Sequence, residues 1–403
     1  MKFELGVNYW PRKSAMHMWR ELDLGEVRDE MAQIADIGFD VVRIFTLTQD
    51  FLPRPRAVDD TMIARLLDVV QAAKDAGLQV VPTLVVINMS GRIWWPEWML
   101  DLHRNPRDLF SEPEILESQA LLAKRCASAL AGDDAIRAFD LANEIDDAQR
   151  PSSRDAGRRW ATTLADAVRK AAPGIPIQIG AHLLSLTTDN MRVDDIASVA
   201  DENVMHAYPL YSDAARSFLD PELVPFSCAL TSALSGEDRP TLMQEFGMCT
   251  APPGYAGQTI TDDFLGQART QYLASEDEQA TYYAQVLDKL ASTGAAGAYA
   301  WCYGDYDSSL FNRAPFTTAV RERTFGLVRA NGTEKPAADV FRKFIARRDA
   351  GELTVSEPDL SGVLDVSVDD YYRAPAEHFA RLYARWLTRE GMAETIARGA
   401  TRQ

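Results

Sequence analysis

The sequence predicts an α/β chain folded as a (β/α)8 TIM barrel with a C-terminal α+β appendage. Three observations predict it. Apolar strand-like runs alternate with longer amphipathic segments. The strand runs are almost continuously apolar, as parallel strands buried on both faces must be. Eight strand–helix units can be counted, and eight is the number that closes such a barrel. A doubly wound open sheet is the rival. It would show fewer strands and a glycine-rich loop after the first, and "NYWPRKSAM" is not such a loop.

The elements follow in order. "FELGVNYW" (3–10) is the first strand. "DEMAQIADIG" (29–38) is a helical pattern ending in Gly38, and "FDVVRIF" (39–45) is the second strand. "TMIARLLDVVQAAKDAG" (61–77) is a helix stopped by Gly77, before the third strand "LQVVPTLVV" (78–86). The helix over 113–132 leads to the fourth strand, "AIRAFDLANEI" (135–145). A helix over 158–174 precedes strand five, "IPIQIGAH" (175–182), and a short helix over 193–201 precedes strand six, "NVMHAYPL" (203–210). "ELVPFSCALTSAL" (222–234) reads as helical despite Pro225. Strand seven is "PTLMQEFG" (240–247), and a helix over 277–294 follows it. Strand eight is "AAGAYAWCYGD" (295–305), and a helix over 335–348 closes the series.

Residues 1–348 are thus read as the barrel. Residues 349–403 fall outside it. The run 353–375 has the pattern of a strand or two, and "APAEHFARLYARWLTREGM" (374–392) that of an amphipathic helix. About 50 residues make a marginal core alone, so this extension is expected to pack on the barrel.

The 403 residues carry a formal net charge of −17. That balance argues against nucleic acid, whose phosphates need Lys and Arg, and against a polybasic membrane contact. The N-terminus "MKFELGVNYW" has no apolar run of the secretory kind, and no window approaches a membrane span. Cys126, Cys228, Cys249 and Cys302 are scattered, which fits neither a disulfide framework nor a zinc site. The expected compartment is a reducing cytoplasm. No metal and no cofactor are expected, and a homo-oligomer stays open.

In such barrels the C-terminal strand ends form the active-site face. Arg43 ends strand two, Asn143 and Glu144 end strand four, and His206 and Tyr208 end strand six. Glu245 ends strand seven and Trp301 strand eight. One polar residue in a strand pattern is unremarkable, but several at corresponding ends are not. Strands four and seven face each other across the barrel mouth. Two carboxylates opposed across a pocket are the apparatus of glycoside hydrolysis: one protonates the leaving oxygen, the other is ionised and attacks the anomeric carbon.

This set, with "GVNYWPR" and "ERTFGLVRANGTEKPA" (322–337), resembles clan A of the glycoside hydrolases. It is most like family 5, with its cellulase, mannanase and β-mannosidase-type barrels, and more distantly like family 42. The resemblance runs from about Gly6 to Phe344. It implies that Glu144 is the acid/base and Glu245 the nucleophile. It implies that Asn143 binds the sugar 2-hydroxyl, that Arg43 and Tyr208 orient the nucleophile, that His206 walls the site beside the acid/base, and that Trp301 floors the −1 subsite. Ile145 departs from the pattern, since many members have proline there. So does Asn88, at the end of strand three, where related sequences carry histidine; that position bears on the sugar preference.

Other motifs have plainer readings. In "GRIWWPEWML" (91–100), Trp95 is expected to reach the sugar while Trp94 and Trp98 pack. Trp10, Trp19 and His17 read as packing, Asp305 and Asp307 as a solvated loop, and Cys249 and Cys302 as bystanders.

The leading expectation is a retaining β-glycosidase, exo-acting on small β-linked oligosaccharides, with β-mannosidase or β-mannanase-like activity favoured by the resemblance. β-Glucosidase and β-galactosidase are alternatives. A non-catalytic carbohydrate-binding barrel could have lost either glutamate, but both are present. A metal-dependent sugar isomerase would need a His/Asp/Glu cluster at strand ends, whereas the chain has five histidines, of which only His182 and His206 lie at such ends.

Overall fold

Eight parallel strands wrap into a nearly closed barrel in the computed structural model, which describes residues 2–236, 239–264 and 266–400. The strands are β1 (Glu4–Asn8), β2 (Val41–Leu47), β3 (Gln79–Val86) and β4 (Phe139–Asn143). They continue with β5 (Ile177–Gly180), β6 (Asn203–His206), β7 (Thr241–Phe246) and β8 (Gly297–Ala300). Along β1 to β5 and along β6 to β8 each strand pairs with its neighbour in sequence, and β8 pairs with β1. The circle closes between β5 and β6 at a parallel bridge between His182 and His206, where His206 N donates to Ala181 O at 2.8 Å.

The helices between the strands are α1 (Leu24–Ile37), α2 (Asp60–Asp75), α3 (Pro113–Leu130) and α4 (Arg154–Ala171). They continue with α5 (Val193–Ala197), α6 (Leu223–Leu234), α7 (Glu276–Ser292) and α8 (Pro336–Asp349). α1 begins five residues before the apolar pattern, because Asp23 caps it by accepting from Gly25 N and Glu26 N. It ends at Gly38, whose φ of 104° a side chain would disfavour. Pro225 is tolerated in the first turn of α6, where no intrahelical partner for its missing N–H exists.

Alternation along the strands decides what fills the barrel. Val41, Val81, Val204, Leu242 and Tyr299, from five strands, and Ala138, which leads into β4, form an apolar cluster of their own. Gly6 makes room for it, since a Cβ there would stand 2.5 Å from the Tyr299 ring. Two residues further along four of those strands come Arg43, Thr83, Asp140 and His206, all buried. The apolar plug thus supports a polar layer at the C-terminal mouth.

In the extension, no strand forms within 353–375 among the described residues, so the β part of the predicted appendage is corrected. A closed barrel offers no free edge for a strand to join. The segment runs irregularly to a short helix, Val368–Tyr371, and then to α9 (Pro375–Ala400). Tyr372 OH donates to Ser185 O (2.9 Å), Tyr383 OH to Asp220 (2.7 Å) and Trp386 Nε1 to Glu222 (3.2 Å). The rings of Phe379, Tyr383 and Trp386 pack on Phe226 of α6, with centroids 5.0 to 5.8 Å away. No helix among the described residues is long and apolar enough to cross a membrane.

Candidate active site

A cavity of about 610 Å³ opens at the C-terminal ends of the strands. Its lining includes Asn88, Asn143, Glu144, His206, Tyr208, Glu245 and Trp301. Arg43 lies beneath it, wholly buried.

Glu245 owes its aim to a bulge. Between Met205 and His206 the register on β7 advances from Met243 to Glu245, so Gln244 is an extra residue. The β7–β8 ladder shifts over the same stretch. A bulge lets two consecutive side chains face inward where strict alternation would send one outward. Gln244 reaches His206 and Glu245 reaches the cavity. Both Glu245 oxygens are held. Arg43 Nη1 donates to Oε1, and Tyr208 OH donates to Oε2 at 2.9 Å. Burial, then the charges of Glu245 and Glu144, push the Tyr208 phenol well up, so it stays a donor.

Glu144 sits just past β4 with φ 42° and ψ 49°. A non-glycine residue in this left-handed region carries a cost of about 1–3 kcal/mol and is typical of functional sites. Its Oε1 is 2.9 Å from His206 Nδ1, and its Oε2 accepts from Asn88 Nδ2 at 3.1 Å. Burial alone would raise its carboxyl. The charges of His182 and His206, the His206 hydrogen bond and the charge of Arg43 outweigh burial and hold it down to about 2.

The two carboxylates are close. One atom each of Glu144, His206 and Glu245 lies within 4.8 Å of the other two.

Behind Glu144 stands a second cluster that sequence reasoning did not assemble. His182 Nε2 is 3.0 Å from Asp146 Oδ1, and its Nδ1 is 3.8 Å from Asp147 Oδ2. Burial works against a charged His182, but Asp146, Asp147 and Glu144 together raise it well above its ordinary value. Burial and the charges of Glu144 and Asp146 push Asp147 up to about 6, against His182. Asn88 Nδ2 bridges Glu144 and Asp147.

Eight of the nine residues singled out in the sequence therefore converge. The ninth, Trp95, is half-buried against the core and lies outside the cavity lining, which on that side is Asn88, Met89, Ser90 and Gly91. The neighbouring tryptophans are tied down by backbone: Trp94 Nε1 donates to Met89 O, and Trp98 Nε1 to Leu52 O. Residues missed in the sequence include Asp140, Gln244 and Gln178, each a polar residue inside an apolar strand run. Phe379, Ala376 and Ala380 of the extension also line the cavity. Nothing local in their helix pattern marks them.

The family model described as Cellulase (glycosyl hydrolase family 5) matches residues 13–283. No curated protein matches the chain. Among solved structures, the fold is similar to GH5_18 from Streptomyces cattleya in complex with GlcNAc, at 22% identity and TM-score 0.82, covering 97% of this chain and 92% of that one. A variant of the same protein is in complex with Manβ1-4GlcNAc, at TM-score 0.79, 22% identity and coverage of 96% and 92%. The exo-β-1,4-mannosidase Op5Man5 from Opitutaceae bacterium strain TAV5 is similar at 26% identity and TM-score 0.73, covering 88% of this chain and 61% of that one.

Proposed function

The chain belongs to glycosyl hydrolase family 5 and is a glycoside hydrolase, and from that premise we propose that it is a retaining, exo-acting β-glycosidase whose leading substrates are small β-mannosides. The observation that carries the mechanism is the opposition of Glu144 and Glu245, with carboxylate oxygens within 4.8 Å. Retaining enzymes hold these groups about 5–5.5 Å apart, whereas inverting ones need about 6.5–9.5 Å to admit a water.

In the first step a Glu245 oxygen bonds to the anomeric carbon as the glycosidic C–O bond breaks, and Glu144 gives its proton to the leaving oxygen. In the second, Glu144 takes a proton from water, the hydroxide bonds to the anomeric carbon, and the ester bond to Glu245 breaks. Glu245, held by Arg43 and Tyr208, is dressed as the nucleophile. Held down to about 2, Glu144 is ionised before a sugar binds. A sugar that expels water raises the cost of an ionised carboxylate there and so favours the protonated acid. Asn143 and Trp301 line the cavity beside this pair and serve the sugar 2-hydroxyl and ring face in this reading.

Exo action is supported by the extension, whose Ala376, Phe379 and Ala380 wall one side of the cavity. In this reading residues 1–348 are the catalytic barrel and 349–403 complete its wall. β-Mannoside preference is supported by the neighbours that carry Manβ1-4GlcNAc or are named exo-β-1,4-mannosidase.

Azide rescue tests the assignment. Glu245→Ala is expected to abolish turnover of aryl β-glycosides, with azide yielding an α-glycosyl azide. Glu144→Ala is expected to yield the β-glycosyl azide. Wild-type activity in either variant removes that residue from its role. A screen of aryl glycosides across sugars tests the substrate, and a best rate on a β-glucoside or β-galactoside overturns the mannoside preference.

A further inference from the structure

His206 stands between Glu144 and a chain of buried amides that no step above uses. Its Nδ1 is 2.9 Å from Glu144 Oε1 and its Nε2 is 3.0 Å from Gln244 Oε1. The chain continues with a direction. Gln244 Nε2 donates to Gln178 Oε1 (2.7 Å), and Gln178 Nε2 donates to Glu202 Oε2 (2.6 Å). Glu202 is held by Arg137 Nη2 (2.8 Å), whose Nε binds Glu4 (2.7 Å) at the far end of the barrel. Gln178 and Gln244 have no exposure to solvent and do not line the cavity.

The direction follows from chemistry. An ionised carboxylate only accepts. Glu202 therefore draws the Gln178 amide nitrogen and leaves its oxygen to face Gln244. Gln244 must then donate to that oxygen and can offer His206 only its own oxygen. A ring nitrogen facing an oxygen acceptor must carry hydrogen, so Nε2 is the protonated one. In the neutral ring Nδ1 is then a lone pair, aimed at Glu144.

We infer that Gln178 and Gln244 are positioning residues: anchored on Glu202, they fix the His206 tautomer so that a single proton is shared between His206 Nδ1 and Glu144 Oε1 and is available to the leaving group. This rests on Glu144 as the acid/base. The opposite tautomer would present Nδ1–H to an ionised Glu144. It would stabilise the carboxylate with a neutral ring, and the acid would lose its proton at lower pH.

Other charges face this pair from every side. Glu245 Oε1 lies 3.6 Å from His206 Nδ1, with Arg43 behind it. His182 approaches from the end of β5, and Asp146 and Asp147 from beyond β4. Tyr208 follows β6 itself, and Glu322 acts through Glu245. The substitutions below leave all of these in place.

Two variants break the relay at different links. Gln244→Leu removes the acceptor, and Gln178→Met frees the Gln244 amide to turn its nitrogen toward His206. Both are expected to move the basic limb of the kcat/KM profile down by about one pH unit. Nitrogen NMR of labelled histidine is expected to show His206 passing from the Nε2–H to the Nδ1–H tautomer. If both variants lower kcat/KM equally at every pH, with limb and ring signals unmoved, the residues only pack and the inference fails. It fails too if Gln244→Leu moves the limb and Gln178→Met does not. If the buried variants do not fold, Glu202→Gln, at the partly exposed end, is expected to give the same two shifts, and their absence overturns the relay. The NMR readout holds whichever residue is the acid. A tautomer change with an unmoved limb therefore supports the relay and counts against Glu144.

Discussion

Arg43 and Asp140 form an ion pair, Nη2 to Oδ2 at 2.7 Å, in which neither side chain has any exposure to solvent. The same guanidinium reaches Glu245, so one cation joins carboxylates from β4 and β7. Burying such a pair is favourable only when the remaining protons find partners. Here they do: Nε donates to Thr83 (2.9 Å), Nη1 to Asn8 (3.0 Å) and Nη2 to Asn143 (3.0 Å). The network sets the position of the Glu245 carboxylate at the mouth of the barrel.

Removing Asp140 tests that network. Asp140→Ala leaves Arg43 short of one of its two buried anions and strips acceptors from Thr83 Oγ1 and Gly180 N. It is expected to lower stability by about 3–5 kcal/mol in urea unfolding. Asp140→Asn, which keeps an acceptor, is expected to lose less. A loss below about 1 kcal/mol for the alanine variant would show that Asp140 does not anchor the arginine.

Tyr208→Phe isolates the second donor to Glu245, the proposed nucleophile. The ring stays packed against Tyr211 and Phe325, so stability is expected to change by less than about 1.5 kcal/mol. Turnover is expected to fall by about 10- to 100-fold, the size of a lost charge-assisted hydrogen bond in a site of this kind. Steady-state kinetics with an aryl glycoside decide it, and an unchanged kcat refutes the positioning role.

The barrel was legible because its signal is local and repeated: each strand is a continuous apolar run, and each helix has its own period and stop. The residues at the mouth were legible for the same reason, since Glu144 and Glu245 interrupt such runs at their ends. Asp140 interrupts a run as well, but inside it, where a lone charge reads as a satisfied core residue until its partner on β2 is seen. Gln244 was hidden by alternation, which assigns it to the face opposite Glu245; only the bulge turns both inward. The wall contributed by Phe379 was out of reach because it depends on α9 docking on Phe226, more than a hundred residues away in sequence. The expected strands in 353–375 failed for want of an edge to pair with.

Asp147 gives a pH prediction. Its carboxyl is raised from 3.8 to about 6, so between these values the native state binds more protons than the unfolded one. Stability from this group is therefore full below the unfolded value and is lost as pH rises through about 6. Asp147→Asn removes that loss while keeping an acceptor for Asn88. The variant is expected to gain about 1–3 kcal/mol over wild type at pH 7, and little or nothing at pH 4. Glu144, held down to about 2, works in the opposite sense: its contribution is full above its ordinary value of 4.5 and is lost as pH falls from there toward about 2. Thermal unfolding at both pH values checks the sign, and a larger gain at pH 4 contradicts it.

The extension's role in substrate size rests on small residues beside a large one. Ala376 and Ala380 face the cavity on either side of Phe379, which is itself buried against Phe226. Ala380→Phe adds bulk at the cavity wall and leaves the Phe379–Phe226 contact intact, so the fold is expected to survive. A disaccharide is expected to lose about 10-fold or more in kcat/KM, because overpacking by a ring costs about 1–3 kcal/mol. An aryl monoglycoside, which occupies less of the cavity, is expected to change by less than a factor of about three. Phe379→Ala works the other way. It removes the wall and costs about 3–5 kcal/mol of stability, and among the molecules that stay folded it is expected to raise the relative rate on longer oligosaccharides. If both variants leave the ratio of disaccharide to monoglycoside rates unchanged, the extension only braces the barrel and does not limit substrate size.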